Sequence, residues 1–305
     1  MRFSAEGVRL DQAVAEEAKT SRSRAQAWIE QGAVRVDGKV ITKASLKLKG
    51  ETVELEPPPE RPSTVAPEAI PLEVLFEDQD LLVVNKPPGM ITHPARGVTT
   101  GTLVNAVLGR YGLEAHTEAL PELVRPGIVH RLDKDTSGVM VVARHEAAHR
   151  RLAGAFKDRR VFKRYLAITE GFPAEGVLSA PIGRHPVDKT KMHVQGVAGR
   201  YAETELGILA KSPNYALIDA RPHTGRTHQI RVHLKHLRAP IVGDKVYGKP
   251  SPAIGRQALH AYELRFPHPR TGKILEFCAP VPSDMVKAWE AVGGHWPEGI
   301  QLSAD

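Results

Sequence analysis

The stretch Gly127–Arg144, GIVHRLDKDTSGVMVVAR, sets two apolar runs around a loop dense in charge. Ile128-Val129 lead into it and Val139 to Ala143 lead out of it, while His130, Arg131, Asp133, Lys134 and Asp135 stand between. Short apolar runs bounded by glycine and charge read as buried strands. Residues 127–129 and 139–143 are therefore expected to be rigid strands that mount the loop. Asp133 and Asp135 resemble an acid/base pair, but Arg131 and Lys134 lie beside them. Cations at that range suit a charged nucleophile or base better than a proton-donating acid. An ion-paired surface turn closed by Thr136 or Ser137 accounts for the same residues.

Outward from this loop the chain alternates strands and helices without a regular βαβ rhythm. DLLVVNK, GVMVVAR, VFKRYLAI, YALIDAR and ELRFPHPRTGKILEF read as strands or hairpins. HEAAHRRLAGAFK and THQIRVHLKHL read as helices. That mixture predicts an α+β domain on a mixed or mostly antiparallel sheet over residues 72–290. The tail, 291–305, is expected to be poorly ordered. Residues 57–71, PPPERPSTVAPEAIP, carry six prolines and read as a semi-rigid linker.

Residues 1–56 read as a separate small α+β module. Val8, Leu10, Val14 and Ala18 fall near helical spacing. Ser21 can cap a second helix, whose stripe Ala25, Trp28 and Ile29 ends at Gly32. AVRVDGKVI is two short strands around Asp37-Gly38, a hairpin signal, and ETVELE is a further strand.

The chain has 305 residues, 41% of them hydrophobic and 25% charged, the profile of a globular protein with room for a large core. A formal net charge of +7 and a pI near 9.5 fit a nucleic-acid partner or simply a basic surface. The single cysteine, Cys278, excludes an internal disulfide and fits a reducing cytoplasm. No apolar leader and no 18-residue apolar run are present, so neither a signal peptide nor a membrane span is expected.

Three further segments carry candidate chemistry. In Arg221–Gly248 the only acid is Asp244, among many cations. A helix from about Thr227 would bury Ile230, Leu234 and Leu237 and raise a ridge of Arg231, Lys235 and Arg238 beside them. Those cations grip phosphates, pair with a buried carboxylate, or form a solvated face. Its histidines His223, His228, His233 and His236 lack the convergence and thiolate or carboxylate partners of a metal site. His145 and His149 likewise lack a third ligand. Arg144–Ile168 carries eight Lys/Arg against two Asp/Glu. There Lys163 and Tyr165 share one strand face, where a phenol beside cations can stack on a base or simply sit half-buried. In NKPPGMITHP a strand ends in a rigid turn with Lys86 at its mouth. No GxxxxGK[ST] or GxGxxG loop follows a strand, so no nucleotide cofactor is expected, and neither GxSxG nor a Cys–His nucleophile pair occurs; with the histidines dispersed, no metal is expected either.

The N-terminal order of elements, carried by VRLDQAVAE, SRSRAQAWIEQGAVRVDGK and KLKGETVEL, resembles the S4 RNA-binding module. That resemblance implies that Arg22, Arg24 and Lys43, Lys47 and Lys49 meet RNA phosphates; a solvated basic face is the plainer reading. HRLDKDTSG followed by TGRTHQIRVH, with NKPPGMITHP and ALHAYELRFPHPRTGK, resembles the RluA-type pseudouridine synthases over nearly the whole chain, and the RluD-type enzymes most within them. The resemblance implies isomerisation of uridines in large-subunit (23S) ribosomal RNA, at helix 69, within pre-50S particles, by a cytoplasmic monomer without cofactor. The same chemistry on tRNA or another rRNA site, or a non-catalytic RNA-binding role, are the alternatives. It also implies the roles. Asp133 is the catalytic aspartate. Arg131 fills the gap of the flipped base, and Tyr165, 32 residues on (165 − 133), stacks on the uracil and is a candidate base. Arg231 pairs with Asp133, and His130, Lys86, Lys163 and Arg226 join the RNA-binding set.

Overall fold

The computed structural model describes every residue except 19, 21, 58–64, 95–97, 112–126, 189 and 304–305, and leaves the side chains of Ser23 and Arg24 undescribed. Ser21 as a cap and the Arg24 contact thus lie outside the described residues. The chain divides into two compact units, Met1–Pro62 and Ser63–Asp305.

In the first unit β1 (Arg2–Arg9), β2 (Val34–Val36), β3 (Lys39–Val40) and β4 (Lys47–Leu55) form a sheet in the order β1-β4-β2-β3. Helices α1 (Leu10–Glu17) and α2 (Arg22–Glu30) cover it around Leu10, Val14, Ala25, Ile29, Val34, Leu48 and Val53. β1 corrects the sequence reading, which placed Val8 in the first helix. The antiparallel pairing of Phe3 with Val53 and Arg2 with Glu54 holds that segment extended, a non-local cause that helical spacing does not reveal. Asp37 and Gly38 both have positive φ, +47° and +77°, as a two-residue hairpin between β2 and β3 requires.

The second unit is built on a nine-stranded mixed sheet. Its path is β5 (Glu73–Glu77), β6 (Leu81–Lys86), β7 (Ser137–Ala143), β15 (Leu259–Pro267), β8 (Phe162–Glu170), β14 (Tyr215–Pro222), β13 (Glu203–Lys211) and β9 (Gly176–Ser179), with β16 (Ile274–Cys278) also paired to β15. A small sheet of β10 (Ile182–Arg184), β11 (Met192–Val194) and β12 (Val197–Arg200) stands apart from it. β7 and β15 run parallel, and the other described pairings in this sheet are antiparallel.

The apolar run of β7 is continuous because both of its faces are covered. Leu82, Val84, Met140 and Val142 pack under α3 (Leu103–Tyr111), and Leu81, Val83, Val139 and Val141 pack under α4 (Glu146–Lys157). Further along the sheet Ile168, Leu217 and Ile218 join Ile230 and Leu234 of α5 (Gln229–His236) and Met285 and Trp289 of α6 (Ser283–Ala291).

Three expectations need correction. Residues 127–129 are not a strand: Ile128 makes one isolated bridge to Val142, and the Gly127 carbonyl accepts the Ala143 amide. The second half of the proline-rich segment is not a free spacer. Val65 is buried in the core under α3, and Asn105 bonds the Ala66 carbonyl. The C-terminal tail is tied down as well. The Trp289 indole donates to the His295 carbonyl, and Val281 exchanges backbone bonds with Gln301 and Ser303. Buried Trp289 needs that acceptor, so the tail is fixed by the core it closes. Among the described residues no helix is long and apolar enough to cross a membrane.

Gly138 lies where β7 meets β15, with φ +120°; a Cβ there would stand 2.2 Å from the Ala261 carbonyl oxygen. Gly138→Ala should therefore lower the unfolding free energy by about 3 kcal/mol through overpacking and backbone strain. Chemical denaturation reads this, and an unchanged midpoint would contradict the close approach.

Candidate active site

The charged loop from His130 to Thr136 is fastened at four successive carbonyls. Leu132 O accepts the Thr92 hydroxyl, Asp133 O the Thr136 amide, Lys134 O the Lys86 ammonium and Asp135 O the Arg256 guanidinium. Such a segment has little freedom left, so the Asp133 carboxylate leaves it in a set direction.

That carboxylate meets α5. Arg231 donates from one NH group to Asp133 Oδ2 at 2.9 Å, and its other NH and Nε grip Asp244 at 2.9 and 2.6 Å. Asp244 is fully buried and also accepts the amides of Val246 and Tyr247. Burial alone would depress the Arg231 guanidinium and raise the Asp244 carboxyl. Their mutual bonds outweigh it, holding Arg231 above and Asp244 below their ordinary ranges. A buried arginine between two carboxylates is a rigid positioning device, since its planar fork fixes both partners.

The expected cationic ridge on α5 is corrected here. The helix starts at Gln229, after His228 in the left-handed region, and Arg231 is buried on the core side while Lys235 and Arg238 are exposed. Arg231 answers the lone acid of its own segment, Asp244. The lone acid and the option of a buried carboxylate partner are both legible in the sequence; the place of Asp244 in the site is not.

A cavity of about 560 Å³ opens in front of Asp133. His130, Arg131, Lys163, Tyr165, Arg226 and His228 are among its lining residues. Arg131 is exposed at its edge. The Tyr165 ring packs between two core clusters, and among the described residues its hydroxyl has no hydrogen-bond partner. Burial, and then the Asp133 charge, push the Tyr165 phenol above its usual value, so it is a neutral phenol at physiological pH. Lys163 donates to the Thr224 carbonyl, and burial lowers it to about 8. Arg226 donates from Nε to the Tyr201 carbonyl.

Two residues expected at the RNA are held by the protein itself. Lys86 is fully buried, and its ammonium donates to the carbonyls of Pro87, Met90 and Lys134. Burial lowers it to about 7. Those three carbonyls make it a brace of the loop. His130 stacks on Phe156 and accepts the Val141 amide on Nε2, and burial lowers it to about 3. A neutral imidazole gives no cationic grip. In the first unit Arg22 donates to the buried carboxylate of Asp11 at 3.0 and 3.3 Å, with half of its side chain still exposed.

Of the other histidines, His233 is buried between the Thr204 hydroxyl and the Ala180 carbonyl, and His223 lies beside Glu205. His145 caps α4 and contacts Asp80, while His149 faces the Ile128 carbonyl. Only His228 among these faces Asp133, at 3.9 Å.

A loop aspartate pinned by a buried arginine beside a neutral tyrosine, in a cation-rimmed cavity on a mixed sheet, sets the class in which relatives belong. The RNA pseudouridylate synthase family model matches residues 80–236, and the S4 domain model matches residues 8–53. The chain belongs to the RNA pseudouridylate synthase family and is an RNA pseudouridine synthase with an N-terminal S4 domain. It is 42% identical over 298 residues to the ribosomal large subunit pseudouridine synthase D of Nitrosomonas europaea, covering 94% of this chain and 85% of the relative. It is 43% identical over 303 residues to the protein of that name in Vibrio parahaemolyticus, covering 94% and 91%. The solved structure of human RNA pseudouridylate synthase domain containing 4 superposes with a TM-score of 0.57 at 27% identity, covering 74% of this chain and 95% of that one.

If Lys86 braces the loop, Lys86→Met leaves the slope of log affinity for RNA against log salt unchanged. Arg226→Ala reduces that slope by about one contact, roughly 0.7–0.9. A reduced slope for Lys86→Met in salt-titrated binding would restore the phosphate contact.

Proposed function

We propose that the protein isomerises uridines in large-subunit ribosomal RNA, with Asp133 as the catalytic carboxylate. The observation that carries this is the Arg231 clamp, which holds Asp133 Oδ2 at 2.9 Å at the lining of the cavity and leaves Oδ1 without a hydrogen bond among the described residues. A protein that only bound RNA would need the rim cations, not an oriented carboxylate among them. The RNA class is supported by two relatives named for the large ribosomal subunit, each at least 42% identical. Helix 69, pre-50S particles as substrate and a cytoplasmic monomer complete the proposal, on the likeness to the RluD-type enzymes.

The reaction breaks N1–C1′, turns the uracil and forms C5–C1′. Redox state and atom count are unchanged, so ordinary side chains suffice. Attack on C1′, removal of the 2′ proton and addition to uracil C6 each use one free carboxylate oxygen. The base must first leave its stack, at a cost of a few kcal/mol. Arg131, exposed at the cavity edge, fills the gap, and the Tyr165 ring stacks on the flipped uracil. As a neutral phenol, Tyr165 can take the C5 proton only while passing on its own. Lys163, Arg226 and the rim arginines Arg159 and Arg200 hold phosphates, and the S4 domain adds contacts through Arg22 and the lysines of its last strand.

Asp133→Asn should abolish pseudouridine formation on a ribosomal RNA transcript while RNA affinity stays within about twofold, since the change removes one charge but no phosphate contact. Turnover in that variant would end the assignment. Tyr165→Phe keeps the ring and removes the hydroxyl. Its kcat should fall by about a hundredfold if the phenol relays a proton, and an unaltered kcat would reduce Tyr165 to stacking alone.

A further inference from the structure

The Arg231 clamp accounts for one oxygen of Asp133. The other, Oδ1, faces the imidazole Nε2 of His228 at 3.9 Å, beyond hydrogen-bond distance. That ring is held from behind. Tyr247 Oη lies 2.8 Å from His228 Nδ1 and accepts the Met192 amide at 2.9 Å. An oxygen that already accepts from a backbone N–H directs its own proton to the remaining acceptor, which is Nδ1. Nδ1 is then unprotonated, and the imidazole proton sits on Nε2, toward Asp133. Tyr247 is itself buried, with its ring edge-on to His228 at 5.6 Å and the Arg231 guanidinium over its face at 5.1 Å. His228 also adopts φ +57°, a backbone strain of the kind that collects at working sites.

We propose that His228 is a positioning residue for the reaction: Tyr247 locks it as the Nε2–H tautomer, and its N–H, 3.9 Å away and so acting as an oriented dipole rather than as a hydrogen bond, biases the orientation of the free oxygen of Asp133. The inference rests on the reading of Asp133 as the catalytic carboxylate. It makes the small sheet part of the site, because the Met192 amide on β11 sets the Tyr247 hydroxyl, which sets His228, which sets Asp133.

The groups facing His228 are Asp133 and Arg131 on the charged loop, Arg231 on α5, and Asp244 and Tyr247 on the segment beyond it. Burial, Arg231 and Arg131 disfavour a second proton on the ring, and Asp133 and Asp244 favour it; the net direction is below the ordinary imidazole value. The tautomer is thus intact at neutral pH. On acidification a second proton takes Nδ1 from Tyr247 and sets a cation against Oδ1, so kcat falls on the acid side.

The test compares His228→Asn, His228→Gln and Asp133→Asn, with kcat, KM, RNA affinity and pH profile measured on a large-subunit ribosomal RNA transcript. Asparagine tolerates the left-handed backbone and keeps a polar atom near the Nδ1 position, but loses the donor toward Asp133. Glutamine keeps a donor near the Nε2 position. His228→Asn should lower kcat by about tenfold to a hundredfold, as expected for a reacting group misplaced by up to an ångström, with RNA affinity and KM within about twofold. His228→Gln should recover most of that loss and shift the acid limb to lower pH. Wild-type kcat in His228→Asn, or equal losses in both variants together with a lowered melting temperature, would overturn the proposal while Asp133→Asn stays inactive. Turnover in Asp133→Asn would instead overturn the reading on which it rests.

Discussion

Arg231 between Asp133 and Asp244 is the interaction on which the site depends. The arginine is desolvated, so it persists only because two carboxylates compensate its charge. One of them is wholly buried and anchored by two backbone amides. The other projects into the cavity. The fixed side of the clamp therefore sets the geometry of the working side. Removing Asp244 would leave a buried cation half compensated, which is among the costliest changes a core can suffer. The same fork that stabilises the helix–loop junction thus aims the Asp133 carboxylate, and stability and orientation share one set of hydrogen bonds.

A second constraint acts on the backbone. Thr92 and Lys86, six residues apart on one segment, and Arg256 from far down the chain each take a carbonyl of the Asp133 loop. Lys86 is notable because its charge is removed from solvent. Burial opposes the ammonium, while three carbonyl acceptors suit its three N–H bonds. Cations near the cavity consequently divide into two kinds. Lys86, Arg231 and Arg256 are inward braces, whereas Arg131, Arg159, Arg200 and Arg226 line or edge the space an RNA would enter. Charge counting along the chain does not separate these kinds, because burial alone distinguishes them.

Some of the architecture was legible from local pattern. The strands DLLVVNK and GVMVVAR, the helix HEAAHRRLAGAFK and the Asp37-Gly38 hairpin follow from apolar runs, helical spacing and turn chemistry. The remaining elements are set by tertiary pairing and packing. β1 was hidden because its extended form comes from pairing with β4, 38 or more residues away in the register Arg9 to Lys47. The segment 127–129 was overread because its apolar residues serve packing rather than a ladder. The tail and the second half of the proline-rich segment looked like spacers, yet Trp289 and Asn105 each need a backbone acceptor from them.

The sequence by itself determined the class of chemistry. HRLD, the strand tyrosine and THQIR stand at spacings that carried the family resemblance, and residue type dictates which of them can act as carboxylate, phenol or guanidinium. Only the tertiary structure decided what each group does with its charge. It put Arg231 inside and Arg131 outside, sank the Lys86 ammonium among backbone carbonyls and stacked His130 on Phe156, and brought Asp244, Tyr247 and His228 around Asp133 from over ninety positions further along the chain (228 − 133 = 95). The physical reason is that ionisation and hydrogen-bonding capacity follow from desolvation and from the distance to partners, and both quantities exist only once the sheet has brought distant segments together.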